Sequence, residues 1–190
     1  MFNIVLVAPE IAPNTGTIGR LCVCTDAVLH LVEPLGFSLD ESRVRRAGLD
    51  YWPWVHLHVH ASWQAFLDAA GDARMAFLST RGCRSIYEWP FADGDYLVFG
   101  NESRGLPPDF HDRYRGQMYA IPMPGRHARS HNLANAVSIV LYEGLRQRLG
   151  WPGGGRQPSP VPRPNAHSRL EPLPMPAAGP DAPEPQEPPE

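Results

Sequence analysis

Three polar stretches in this 190-residue chain carry residue types that can hold and act on a ligand. Asn14, Thr15, Gly16 and Arg20 follow the first apolar run. Gly100, Asn101, Glu102, Ser103, Arg104 and Gly105 follow a later one and turn twice on glycine, which lets backbone approach a ligand closely. Gly125, Arg126, Arg129, Ser130 and Asn132 precede apolar residues at 133, 136, 137, 140, 141 and 145, one face of a helix. Ser130 or Asn132 can cap that helix, because either side chain accepts from an orphan N–H of the first turn. A capped helix N-terminus behind a loop of exposed backbone groups is suited to holding a polar ligand.

Several chemistries do not fit. A phosphate-binding P-loop needs GxxxxGK[ST], but Gly105 is followed by Leu106 and Pro107. A dinucleotide fingerprint needs GxGxxG after the first strand, where this chain reads PEIAPNTG. No nucleophile elbow is present. His56, His58 and His60 alternate along a strand and could set imidazoles side by side for a metal, but no carboxylate or cysteine is near in sequence. The polar outer face of an edge strand is the better reading of that alternation. Cys22 and Cys24, at i and i+2 of a helix, point to different faces, so with Cys83 they suggest no metal site.

The elements that must position the polar stretches follow from periodicity. Residues 3–8 form a buried strand without alternation, as in a parallel sheet covered on both faces. A helix to about Ala27 follows, capped by Asn14 or Thr15, with Ile18, Leu21 and Cys22 inward and Arg20 near its start, where a cation is mildly unfavourable. Strands are expected at 29–32, 55–59, 75–80, 95–100 and 117–123, with helices at 40–49 and 62–71 and a last helix from Asn132 to Leu149. Alternating strands and helices predict an α/β fold, a mostly parallel sheet flanked by helices. Ligands in such sheets sit at the carboxyl ends of strands. The polar loops after Thr80, Gly100 and Met123 all leave strands directly.

Residues 1–150 are expected to form one domain, and 151–190 a disordered tail that holds 13 of the 22 prolines. All 17 basic residues are arginine, and residues 1–150 carry 14 of them against 15 acidic residues. That balance gives no general argument for nucleic acid, so an RNA-binding surface must be a local patch. Arg43, Arg45 and Arg46 form one candidate, and Arg126, Arg129, Arg146 and Arg148 another, although each alone reads as a solvated face. An odd cysteine count without metal spacing suits reduced thiols in the cytoplasm. The start MFNIVLVAPE has no basic region, so neither a signal peptide nor a membrane span is expected.

The segments PNTGTIGRL (13–21), LVFGNESRGLP (97–107) and IPMPGRHARSHNLANAVSIVLYE (121–143) resemble, in order, the three motifs of SPOUT-class RNA 2′-O-ribose methyltransferases. The likeness is greatest to the small tRNA (cytidine/uridine-34) 2′-O-methyltransferases. It extends to RVRRAGLDYW (43–52) and DGDYLVFG (93–100), thus across the whole of 1–150 but not the tail. The resemblance implies a deep trefoil knot in the C-terminal part, S-adenosylmethionine as methyl donor, a homodimer, no metal, and the anticodon stem-loop of tRNA as substrate. It places the donor at Leu78, Gly100, Ile121 and Ser130, with Thr80, Glu102, Leu106, Met123 and Leu133 nearby. It gives Arg20 the activation of the ribose hydroxyl, with Asn14, Glu102 and Asn132 positioning groups and Tyr142 reaching RNA or the partner subunit. Two positions depart from the family pattern: Ala134 stands where serine is usual, and His131 where an apolar residue is usual. The alternatives are the same chemistry at another tRNA position or on ribosomal RNA, and a catalytically silent RNA-binding protein on the same fold. Retention of Arg20, Glu102, Ser130 and Asn132 argues against the silent form.

Overall fold

The computed structural model describes residues 1–39 and 50–150. Its strands are β1 (Asn3–Val7), β2 (Val28–Val32), β3 (Leu57–His60), β4 (Met75–Leu78), β5 (Arg84–Ser85), β6 (Tyr96–Phe99) and β7 (Met118–Ala120). Its α-helices are α1 (Ala12–Thr25), α2 (Trp63–Ala70), α3 (Pro108–Arg113) and α4 (Leu133–Arg148). The strands form one sheet in the order β3-β2-β1-β6-β4-β7-β5, and every pairing is parallel.

The unbroken apolar runs of the central strands have the physical cause expected of them. Because side chains alternate across a strand, each run serves two cores. Ile4 and Leu6 of β1, Leu97 and Phe99 of β6, and Ala76 and Leu78 of β4 pack with Ile18 of α1 and Val137, Val140 and Leu141 of α4. Val5 and Val7, Val98, and Met75 and Phe77 pack on the other side with Phe66 of α2 and Phe110 of α3. Burying such aliphatic side chains stabilises the fold by about 1.5–3 kcal/mol each relative to leaving them exposed. The helices are fixed on the sheet by local signals. Ser62 caps α2 by accepting from Ala65 N at 3.1 Å, and Gly71 ends it at φ +59°. Asn132 caps α4, accepting from Ala134 N at 3.0 Å and Asn135 N at 3.3 Å. Ala134, one of the two departures, is buried in the core beneath α4.

Several expectations are corrected. Helix α1 begins at Ala12, so Asn14 and Thr15 lie inside its first turn and are buried rather than capping it; Ile11 is the cap residue and offers no side chain. Pro13 lies within this turn without disrupting it, because an early position needs no N–H partner. Arg20 is therefore past the middle of the helix, where the terminal dipole argument does not apply. Strands β4 and β7 are shorter than the expected 75–80 and 117–123, their ends turning into loops that line the site described below. Helix α3 and the two-residue β5, too short for a periodic signal, were not anticipated.

The strand expected at 55–59 is β3, at the sheet edge as anticipated, but it starts at Leu57 and Val59 is 46% exposed. His56 precedes it. The imidazole row is instead His58 and His60 with the buried His30 of β2, whose Nδ1 lies 3.1 Å from His60 Nε2. Among the described residues no cluster of His, Cys, Asp and Glu has the arrangement to hold a metal ion. No described helix is long and apolar enough to cross a membrane. The helix expected at 40–49, with Arg43, Arg45 and Arg46, and the tail at 151–190 lie outside the described residues.

Candidate active site

The carboxyl ends of β1, β4, β6 and β7 open onto one cavity of about 970 Å³. This is the side of a parallel sheet on which ligands bind, and the cavity stands where the chain order reverses between β1 and β6. Its walls come from residues far apart in sequence: Ala8, Ile11 and Asn14; Leu78 to Arg81; Gly100 to Pro108; Ile121 and Met123; and Arg129 to Leu133 with Ala136.

Glu102 binds these segments together. Its Oε2 accepts from Glu10 N at 2.8 Å, and its Oε1 accepts from Ile11 N at 3.3 Å and Asn14 Nδ2 at 2.8 Å. A carboxylate at the N-terminus of α1 is favourable to the helix dipole and supplies the cap that Ile11 cannot. Because the carboxylate only accepts, Asn14 must present its NH₂ to Glu102 and its Oδ1 to the other side. There Asn132 Nδ2 donates to Asn14 Oδ1 at 3.0 Å, which leaves Asn132 Oδ1 to cap α4. Donor and acceptor directions thus run without conflict from the start of α4 to the start of α1. A second bridge runs the opposite way: Ser103 donates its hydroxyl to Glu10 Oε1 at 2.8 Å and its N–H to Oε2 at 3.3 Å.

The backbone makes equally close approaches. A Cβ on Gly100 would lie 1.9 Å from the carbonyl carbon of Gly105, and Gly105 itself has φ +75°. The loop folds back on itself, with Asn101 and Gly105 exchanging backbone hydrogen bonds at 3.1 and 3.0 Å. Ala8, on the cavity wall, has φ +50°, a left-handed conformation uncommon for a residue with a Cβ and one found preferentially at functional sites.

All the donor positions implied by the resemblance (Leu78, Thr80, Gly100, Glu102, Leu106, Ile121, Met123, Ser130 and Leu133) line this cavity, as do Asn14 and Asn132. Arg20 and Tyr142 do not. Arg20 lies farther along α1, its side chain 61% exposed, and Tyr142 is 48% exposed on α4. Sequence reasoning missed Ala8 and Glu10, and with Glu10 the partner of Ser103. The only available signal was an acidic residue between the two prolines of PEIAP, just after the first buried strand. The basic group at 126–148 divides: Arg146 pairs with Glu143 and Arg148 with Asp93, at 2.8 and 2.7 Å, while Arg129 lines the cavity. Among the described residues, the cavity wall carries Arg81, Arg104 and Arg129 beside Glu102 and no other acidic residue.

The chain matches the SpoU rRNA Methylase family over residues 1–142. It is 49% identical over 158 residues to a tRNA (cytidine(34)-2′-O)-methyltransferase of Burkholderia ambifaria, spanning 81% of this chain and 99% of that relative. A solved structure concerned with 2-OH methylation of C/U34 on tRNA is similar with a TM-score of 0.74 at 48% identity, over 79% of this chain and 97% of the other. An AdoMet-bound rRNA methyltransferase from Sinorhizobium meliloti has a TM-score of 0.65 at 25% identity, over 76% of this chain and 56% of its own. By motif order, by fold and by a match that takes in every loop of the cavity, this chain belongs to the SpoU rRNA methylase family.

Proposed function

We propose that this protein is an S-adenosylmethionine-dependent methyltransferase that 2′-O-methylates the ribose of the wobble nucleotide, C34 or U34, of tRNA. The observation that carries the reading is the 49% identity to the Burkholderia ambifaria tRNA (cytidine(34)-2′-O)-methyltransferase across 99% of that relative. The cavity suits the donor: its volume is in the range of small-molecule sites, Leu78, Leu106, Ile121 and Leu133 offer apolar wall, and Gly100 leaves backbone uncovered. Thr80 and Ser130 add hydroxyls for the donor's polar parts. When bound, the donor supplies an electrophilic sulfonium methyl group.

The chain's own residues then have three tasks. Glu102, Asn14 and Asn132 hold the loops at fixed separation, so that a bound ribose meets a preformed cleft. Arg81, Arg104 and Arg129 supply positive charge on the cavity wall for the RNA backbone. Arg20 orients the ribose and the adjacent phosphate and stabilises alkoxide charge as it develops on the 2′-oxygen. It does not act as a base, because a guanidinium keeps its proton, so the hydroxyl proton leaves to solvent water as the O–C bond forms. The same reading carries a homodimer, with exposed Val23 on α1 and Tyr142 and Leu149 at α4 as apolar contact surface, and a trefoil knot formed by the cavity loops. It also carries a cytoplasmic setting, a catalytic unit at 1–150 and a tail at 151–190 outside it.

Purified protein incubated with S-adenosylmethionine and unmodified total tRNA, followed by mass spectrometry of nuclease fragments, tests the reading. A new 2′-O-methyl group at nucleotide 34 of some tRNAs is expected. A methyl group elsewhere overturns the specificity, and none at all, with donor still bound, overturns the activity.

A further inference from the structure

Arg20 stands on α1 with its side chain mostly exposed, a setting in which a long arginine ordinarily samples many rotamers. Here it has a support. The guanidinium carbon lies 4.4 Å from the centre of the Tyr51 ring. Tyr51 is itself tied to the same helix: its hydroxyl donates to Gly16 O at 2.7 Å, one turn before Arg20. The ring therefore lies along α1 between an anchor at Gly16 and the cation it carries.

The segment that presents Tyr51 is locked to α1 a second time. Trp52 packs where Gly19 has no side chain, and a Cβ there would come within 2.8 Å of Trp52 Cζ3. Trp52 opens a 3₁₀ turn closed by Trp54 N to Tyr51 O and Val55 N to Trp52 O, both at 3.0 Å. Asp50 also faces Arg20, but at 3.7 Å and 87% exposed it is screened by water and holds the guanidinium weakly. Among the described residues, the aromatic face is the firmer support. Burial raises the Tyr51 pKa above its usual value, against smaller opposing effects from Arg20, so the phenol stays a hydrogen-bond donor around neutral pH.

We propose that Tyr51 is a positioning residue for methyl transfer: anchored to Gly16 and braced by Trp52 on Gly19, it fixes the orientation in which Arg20 meets the ribose and phosphate. This rests on the reading of Arg20 given under Proposed function. A positioning role acts on turnover rather than on binding, since neither the ring nor its anchor lines the donor cavity.

The test uses the full-length protein with tRNA, single-turnover methyl transfer, donor binding by calorimetry and KM for tRNA. Tyr51→Leu is expected to lower the rate by about tenfold or more, towards the roughly hundredfold that a 1 Å misplacement of a reacting group can cost, with donor affinity and tRNA KM within about twofold of wild type. Tyr51→Phe keeps the ring, loses the Gly16 anchor, and is expected to fall between the two. In an Arg20→Ala background, Tyr51→Leu is expected to have no further effect on the rate. An unchanged rate in Tyr51→Leu while Arg20→Ala inactivates, or losses that multiply in the double variant, overturns the proposal alone. Wild-type turnover by Arg20→Ala overturns the reading of Arg20 and the proposal with it. If Tyr51→Leu does not fold, Tyr51→Phe decides, and a wild-type rate there overturns the proposal.

Discussion

At the scale of single residues, the polar groups that join the cavity loops are sorted by who can donate. Glu102 and Glu10 accept only, and their neighbours orient accordingly, through Asn14 to Asn132 on one side and through Ser103 on the other. The histidine row on the other side of the sheet is the complementary case. His30 is 7% exposed, with Nε2 3.3 Å from Asn3 Oδ1 and Nδ1 facing His60. Asn3 Oδ1 accepts, so His30 carries its proton on Nε2 and stays neutral. Burial, and then the nearby His58 and His60, lower the His30 pKa to about 4, and burial lowers that of His60 as well. The unfolded chain, titrating near 6.5, takes up these protons first. Stability from this row is therefore complete above about pH 6.5 and drains away as pH falls towards 4, by up to about 3 kcal/mol for His30. Urea unfolding at pH 7 and pH 5 is expected to show about 2 kcal/mol of that loss in wild type and a much smaller one in His30→Gln. Equal slopes in the two proteins would refute the assignment.

At the scale of elements, the loop from Gly100 to Gly105 is a tight turn lining the cavity. Strand β6 delivers it to the carboxyl edge, and the backbone then doubles back with no room for a methyl group at Gly100. The clash would be with backbone, which cannot rotate away, so Gly100→Ala forces the whole loop to move. It is expected to abolish donor binding in calorimetry and to cost about 1–3 kcal/mol of stability, the usual range for overpacking. Gly125 lies in another loop close to the site but has open space around its Cβ direction, and Gly125→Ala is expected to bind donor as wild type does. Normal donor binding by Gly100→Ala would show that the loop is not part of the donor site. Helix α4 depends on the same edge, since its cap Asn132 is held by Asn14.

At the scale of the whole molecule, the family match ends at residue 142 and the last described helix at Arg148. The residues beyond 150 are proline-rich and show no apolar period in sequence. A chain ending at residue 150 is expected to unfold within about 0.5 kcal/mol of the full chain and to methylate tRNA at the same rate. A large loss of either would make the tail part of the working unit.

The sequence by itself determined the class of fold, because uninterrupted apolar strands alternating with amphipathic helices leave a doubly covered parallel sheet as the consistent solution. It also determined the loops that form the site, since glycine, asparagine and charged residues directly after buried strands have few other uses. Ser62 and Gly71 marked the ends of α2 for the same local reasons. What only the tertiary structure decided are relations between residues distant in the chain. Asn14 reads as a helix cap until Glu102, 88 residues away, takes its NH₂. His30 reads as one residue of a strand until β3 pairs beside β2 and sets His58 and His60 against it. Arg20 reads as a surface arginine until Tyr51 comes to lie under it. Local propensity fixes where the backbone turns and which face is apolar. Which polar group finds which partner is set when strand order brings their loops to one edge, and no sequence period encodes that order.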